Sequence, residues 1–273
     1  MNSGEAYNQI HIYNAWGIGD SLANLMFFNH ILEYLKINNI IIIYYLKYSY
    51  IYGEAKLYQY ITSNTIILKP IDMCPPGAIN LWIANDRIYN YKKNPDEWHN
   101  GYDTYFINFF NSFLKNMSIP IQINTHYYKD PTILTIYHSL PDIYKNVDIL
   151  FINSVPISES TYIPYLSNWD KTIALLSKQF KIVTTVKVNS LPCTTDNNLS
   201  IKDIGALSTH AKYIVAVNTG PLMACNNFHT KEYVKKWFIF TKSAYIKYTE
   251  LNNAYSYENI EDILPHLTAE CLT

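Results

Sequence analysis

Apolar and polar positions along this chain switch between two periods, and the switches mark its elements. Residues 9–16 (Gln9-Ile10-His11-Ile12-Tyr13-Asn14-Ala15-Trp16) read as a strand. After Gly17-Ile18-Gly19 the apolar residues Leu22, Leu25, Met26, Phe28, Ile31, Leu32 and Leu35 recur at spacings of three and four, the stripe of an amphipathic helix. Asp20 or Ser21 is expected to cap that helix by accepting a bond from an otherwise unpaired backbone N–H. Residues 39–45 form a continuous β-branched run, as in a parallel strand covered on both faces. Strand, glycine turn, helix and strand make a βαβ unit.

The pattern continues with short strands predicted at residues 65–68 and 79–83, an aromatic helix over 102–114, and a strand or crossing segment at 133–137. A second series starts at residue 147. It comprises a strand (147–153), a hydroxyl-rich loop (154–161), a helix from about Ser167, a strand (180–188) and a polar linker (192–198). Ser200 and Asp203 have capping-box spacing and should open a helix running to about His210. A strand at 213–217 then meets Asn218-Thr219-Gly220-Pro221, which turns into another helix; a strand at 237–241 and a helix at 259–267 close the chain. The expected fold class is α/β, two Rossmann-like domains with parallel sheets facing across a cleft, 1–145 and 146–273.

Composition narrows the function classes. Of 273 residues 49% are apolar, enough for one large core or two. A net charge of −1 gives no bulk attraction to nucleic acid or an anionic membrane. The four cysteines, Cys74, Cys193, Cys225 and Cys271, form no Cys-x-x-Cys pair, so free thiols and no structural metal are expected. The N-terminus lacks a basic-then-apolar leader. The apolar run 37–46 is far shorter than the roughly 20 residues of a membrane-spanning helix. No membrane span and a cytoplasmic location are expected.

Two glycine turns carry the candidate chemistry. Gly17 and Gly19 lie at a strand-to-helix turn, where open α/β sheets bind ligands. Leu22 stands where a dinucleotide fingerprint needs its third glycine, which disfavours that class. Asp20 either caps the helix or takes a proton from an acceptor hydroxyl. In the second turn Pro221 suits the first helical position, and the free N–H groups beside Thr219 and Gly220 suit an anion such as a diphosphate. His11 and His210 read as packed or capping residues, whereas His99 and His138 fall in loops able to face the cleft. Trp82 and Trp98 suit either core packing or sugar stacking. Ser154 has no Gly-x-Ser-x-Gly setting, so a hydrolase triad is unsupported.

In their order and separation these motifs resemble the heptosyltransferase family, glycosyltransferase family 9-like enzymes of GT-B architecture. The likeness is carried by Trp16-Gly17-Ile18-Gly19-Asp20-Ser21-Leu22, by residues 200–207, and by Val217-Asn218-Thr219-Gly220-Pro221-Leu222-Met223-Ala224. It implies transfer of a sugar from a nucleotide-diphosphate donor to a hydroxyl acceptor, inverting and metal-independent, with no further cofactor. Asp20 would be the general base, with Gly17 and Gly19 on the acceptor side. Asn218, Thr219, Gly220, Ser154, Ser158 and Thr161 would hold the donor. The sequence departs from the family at Asn218 (an acid there), Met223 (a histidine) and Ser167 (often a lysine). Lys187 is a candidate to replace the lost cation. A protein that keeps the fold and binds nucleotide or glycan without catalysis is the alternative, and an epimerase or oxidoreductase of another α/β kind is the third reading.

Overall fold

The computed structural model describes residues 8–90, 102–125, 127–154, 168–240, 251, 254–257 and 259–268. Among the described residues nine strands form two sheets. The first holds β1 (Asn8–Tyr13), β2 (Ile40–Leu46), β3 (Ile66–Pro70) and β4 (Ile79–Asn80) in the order β3-β2-β1-β4. The second holds β5 (Ile149–Ile152), β6 (Ile182–Thr184), β7 (Tyr213–Val217), β8 (Lys236–Phe240) and β9 (Ala254–Tyr257) in the order β6-β5-β7-β8-β9. All pairings within both sheets are parallel. The helices are α1 (Ile18–His30), α2 (Leu32–Ile37), α3 (Tyr48–Tyr52), α4 (Tyr102–Asn116), α5 (Ile133–Ser139), α6 (Trp169–Leu176), α7 (Ile201–Ser208), α8 (Gly220–Cys225), α9 (Phe228–Tyr233) and α10 (Leu264–Thr268).

Side-chain alternation in the strands explains how the layers pack. On β7 and β8, Ile214, Ala216, Trp237 and Ile239 join a core that runs continuously into the first sheet, while Tyr213, Val215, Val217, Phe238 and Phe240 face a smaller core beyond the second sheet. Both faces are covered, so these strands are apolar throughout. In the first half Phe106, Phe109, Phe110 and Phe113 form one stripe of α4. They meet α1, where Phe27 stacks on Phe110 with ring centroids 4.6 Å apart. The halves are thus joined by shared apolar burial. Among the described residues no helix is long and apolar enough to cross a membrane. Cys74, Cys193 and Cys225 are free.

Most expected elements are present, and the differences have local causes. Residues 133–137 are helical, not a strand: Ile133 and Tyr137, one turn apart, are both buried, and α5 packs on α7. A short apolar run does not distinguish the two periods. The helix expected after Gly19 breaks at Ile31 into α1 and α2. Its N-cap is Gly17 rather than Asp20 or Ser21, and the Ser21 hydroxyl donates to the Gly17 carbonyl at 3.1 Å. Strand β9 was not expected. The capping box at α7 is formed: Ser200 Oγ accepts from the Asp203 N–H at 3.2 Å, and Asp203 Oδ2 accepts from the Ser200 N–H at 2.7 Å. Ser200 is fully buried, so Ser200→Ala should cost about 1–2 kcal/mol. Urea unfolding would detect this as a lower midpoint with unchanged slope.

Candidate active site

The first turn leaves the carboxyl end of β1 and enters α1 at Gly17. Asp20, third residue of that helix, is half-buried and takes a hydrogen bond from the Gly17 backbone. Burial raises its carboxyl pKa to about 6, and the Gly17 bond opposes part of that rise. Near it lies the buried Tyr44 hydroxyl, which accepts from Asn24 Nδ2 at 2.9 Å. The same Asn24 amide donates to the Leu81 carbonyl at 2.9 Å and so ties α1 to β2 and to the segment after β4. Burial pushes the Tyr44 hydroxyl well above its ordinary pKa, with the Asp20 charge adding a little. The carboxylate's charge therefore acts on a fixed, neutral hydroxyl. It has the environment of a group able to take a proton near neutral pH.

The second turn leaves the carboxyl end of β7. The Asn218 N–H donates to the Phe240 carbonyl at 3.0 Å, which extends the β7–β8 pairing by one residue. Thr219 is the N-cap of α8, and Pro221 falls at its start, where a missing N–H costs nothing. Thr219 Oγ1 lies 3.4 Å from Ser154 Oγ. Ser154 follows buried Asn153, whose Oδ1 accepts from the Thr185 and Val186 N–H groups at 3.1 and 2.8 Å. That clamp holds Ser154 at the ends of β5 and β7. Two of the expected donor-site hydroxyls are thus brought together.

The two turns touch. A Cβ placed on Gly19 would lie 3.6 Å from Gly220 Cα, and one on Gly220 would meet Ile18 Cγ2 at 3.1 Å. Glycine at 220 is what permits this approach of α1 to α8. At this point the two turns are in van der Waals contact. Cavities of about 520 Å³ beside Tyr52 and Tyr58 and about 470 Å³ beside residues 8–11 lie elsewhere, and neither is lined by Asp20, Thr219 or Gly220.

Other candidates fall apart from the turns or into packing. Lys187 Nζ is 2.6 Å from Asp196 Oδ2 and donates to the Leu191 carbonyl at 3.2 Å, so its charge is already answered. Met223 is buried, its sulfur accepting from Asn226 Nδ2 at 3.7 Å. His11 Nδ1 is 2.9 Å from the Tyr45 hydroxyl, and His210 stacks on Tyr137 at 3.7 Å. His138 sits edge-on to that pair. Ser158, Thr161, Ser167, Trp98 and His99 lie outside the described residues. Among the described residues no group of three or more His, Cys, Asp or Glu side chains could hold a metal ion. Sequence reasoning missed the Asn24–Tyr44 hydrogen bond and the half-exposed Trp16; the recurrence of Asn-x-Trp at 14–16 and 80–82 was the available signal for the second.

No protein-family model matches the chain, and no curated protein does. Solved structures do match in shape. E. coli heptosyltransferase WaaC with ADP-2-deoxy-2-fluoro heptose superposes with TM-score 0.57 at 11% identity, covering 97% of this chain and 98% of that one. The same enzyme with ADP gives 0.54 at 12% identity over the same shares. The iron-containing dodecameric glycosyltransferase TibC of enterotoxigenic E. coli gives 0.50 at 10% identity, over 93% of this chain and 64% of that chain. With its two parallel sheets and near-complete coverage, the chain has the GT-B fold of the heptosyltransferases.

Proposed function

We propose that the chain is an inverting, metal-independent glycosyltransferase that moves a sugar from a nucleoside-diphosphate donor to a hydroxyl acceptor. The observation that carries this reading is the contact of the two turns: Gly19, next to Asp20 in the chain, meets Gly220 at the start of α8, where the Thr219 and Ser154 hydroxyls lie 3.4 Å apart. Asp20 takes the proton of the acceptor hydroxyl as its oxygen attacks the anomeric carbon. The bond from that carbon to the diphosphate breaks, and the nucleoside diphosphate leaves with the electron pair. The Thr219 and Ser154 hydroxyls and the Gly220 N–H at the start of α8 stabilise the leaving charge. Attack opposite the leaving group inverts the centre. ADP is the first donor fragment to test, because the E. coli enzyme of like fold binds it.

Calorimetry with ADP, GDP, UDP and dTDP should give micromolar binding for one nucleotide. Thr219→Val should weaken it about tenfold by leaving phosphate oxygens without a donor. No binding by any of the four would sink the reading. A second reading, binding without catalysis, is favoured by Met223, which is a core side chain where the resembling family has a histidine. Nucleotide binding with no turnover of the matching sugar nucleotide would select it.

A further inference from the structure

We propose that Trp16 and Trp82 form a stacking platform for the pyranose ring of the acceptor. The proposal rests on the reading of Asp20 as the acceptor-side base, and it adds the acceptor's chemical class. Strands β1 and β4 are parallel neighbours, with Tyr13 opposite Asn80. Each runs into the same tripeptide pattern, Asn14-Ala15-Trp16 and Asn80-Leu81-Trp82. Asn14 Oδ1 accepts the Trp16 N–H at 2.8 Å, and Asn80 Oδ1 accepts the Trp82 N–H at 3.2 Å. A Leu81 N–H bond to the Tyr13 carbonyl at 2.8 Å locks the two turns in register. Two side-chain-closed turns therefore present two indoles side by side.

The rings stack with centroids 4.4 Å apart and planes 21° from parallel. Trp82 covers one face of the Trp16 ring, yet Trp16 remains 50% exposed. A large aromatic surface kept rigid and wet lies at the carboxyl edge of a parallel sheet, where such folds take ligands. Gly17, whose backbone holds the Asp20 carboxylate, is the residue after Trp16. The two Cα atoms are about 3.8 Å apart across that peptide. A flat indole accepts the apolar C–H face of a pyranose and leaves the hydroxyls at the ring's edge. This chemistry fits a sugar whose hydroxyls are equatorial, with one hydroxyl directed at Asp20.

Saturation-transfer NMR on the full chain with methyl β-D-glucopyranoside tests the platform. Transfer should concentrate on the protons of the sugar's axial C–H face. Trp16→Ala should weaken the affinity about tenfold, whereas Trp16→Phe should retain most of it. ADP binding by calorimetry should be unchanged in both variants, which also reports that they fold. No transfer with wild-type protein, or transfer undiminished in Trp16→Ala, overturns the platform. Sugar stacking without binding of any nucleoside diphosphate would leave the platform standing and remove the transferase reading. Nucleotide binding without stacking would do the reverse.

Discussion

Asp20→Asn is expected to lower the rate of sugar transfer by about 10²–10⁴-fold, the range of a lost general base, while nucleotide binding is spared. The same substitution should make the protein more stable at neutral pH. The folded-state pKa of about 6 lies above the ordinary value of 3.8 because burial disfavours the charge. Folding therefore binds a proton more tightly, and the residue costs nothing below pH 3.8. The cost grows as pH rises through 6 and is complete above it. The rise from 3.8 to about 6 corresponds to at most about 3 kcal/mol, and partial solvent access reduces this to about 1–2 kcal/mol. Urea unfolding at pH 8 should show Asn more stable than Asp by that amount, with the difference vanishing near pH 4. The wild-type rate should rise with unit slope up to about pH 6 and then level off. Undiminished transfer by the variant would remove Asp20 from the base role. Equal stability at pH 8 would remove the buried charge from the account.

Local signals in the chain were readable, and tertiary ones were not. The β-branched run at 39–45 became β2 because a strand buried on both faces needs no polar alternation. The Ser200–Asp203 box and the turn before Pro221 depend on neighbours within a few residues, and each formed where its spacing placed it. The short apolar run at 133–137 fits either a strand or a crossing segment, and it is helical because Ile133 and Tyr137, one turn apart, are both buried where α5 packs on α7. The Gly19–Gly220 approach joins residues some two hundred positions apart, so composition could say that glycine permits contact but not with what. Lys187 had its charge visible in the sequence and its partner Asp196 hidden in the fold. At the site, Asp20 was marked by the turn that carries it. Its raised pKa arises from burial that no local pattern encodes.

Lys202→Met should destabilise the protein by about 3–5 kcal/mol. Lys202 is buried on α7, with Nζ 3.0 Å from Asp130 Oδ2 and a bond donated to the Gln59 carbonyl at 2.9 Å. The same ammonium lies 5.4 Å from the centre of the Tyr60 ring. Burial alone would raise the Asp130 carboxyl, but the Thr132 hydroxyl and N–H together with Lys202 outweigh it and hold the pKa below the usual range. A carboxylate stabilised in this way contributes above its ordinary pKa and loses that contribution as acid protonates it. Methionine fills the space of the lysine stem but leaves Asp130 charged, buried and partly unpaired. Replacing Asp130 with Leu as well removes the orphaned charge, so the double variant should regain most of the loss. Denaturant unfolding of both singles and the double gives the coupling directly. Because Gln59 and Tyr60 belong to the first half and Lys202 to the second, this pair also fixes how α1 meets α8. The single variant should therefore bind ADP more weakly even where it remains folded. A loss below about 1 kcal/mol would mean that the pair behaves as an exposed one does.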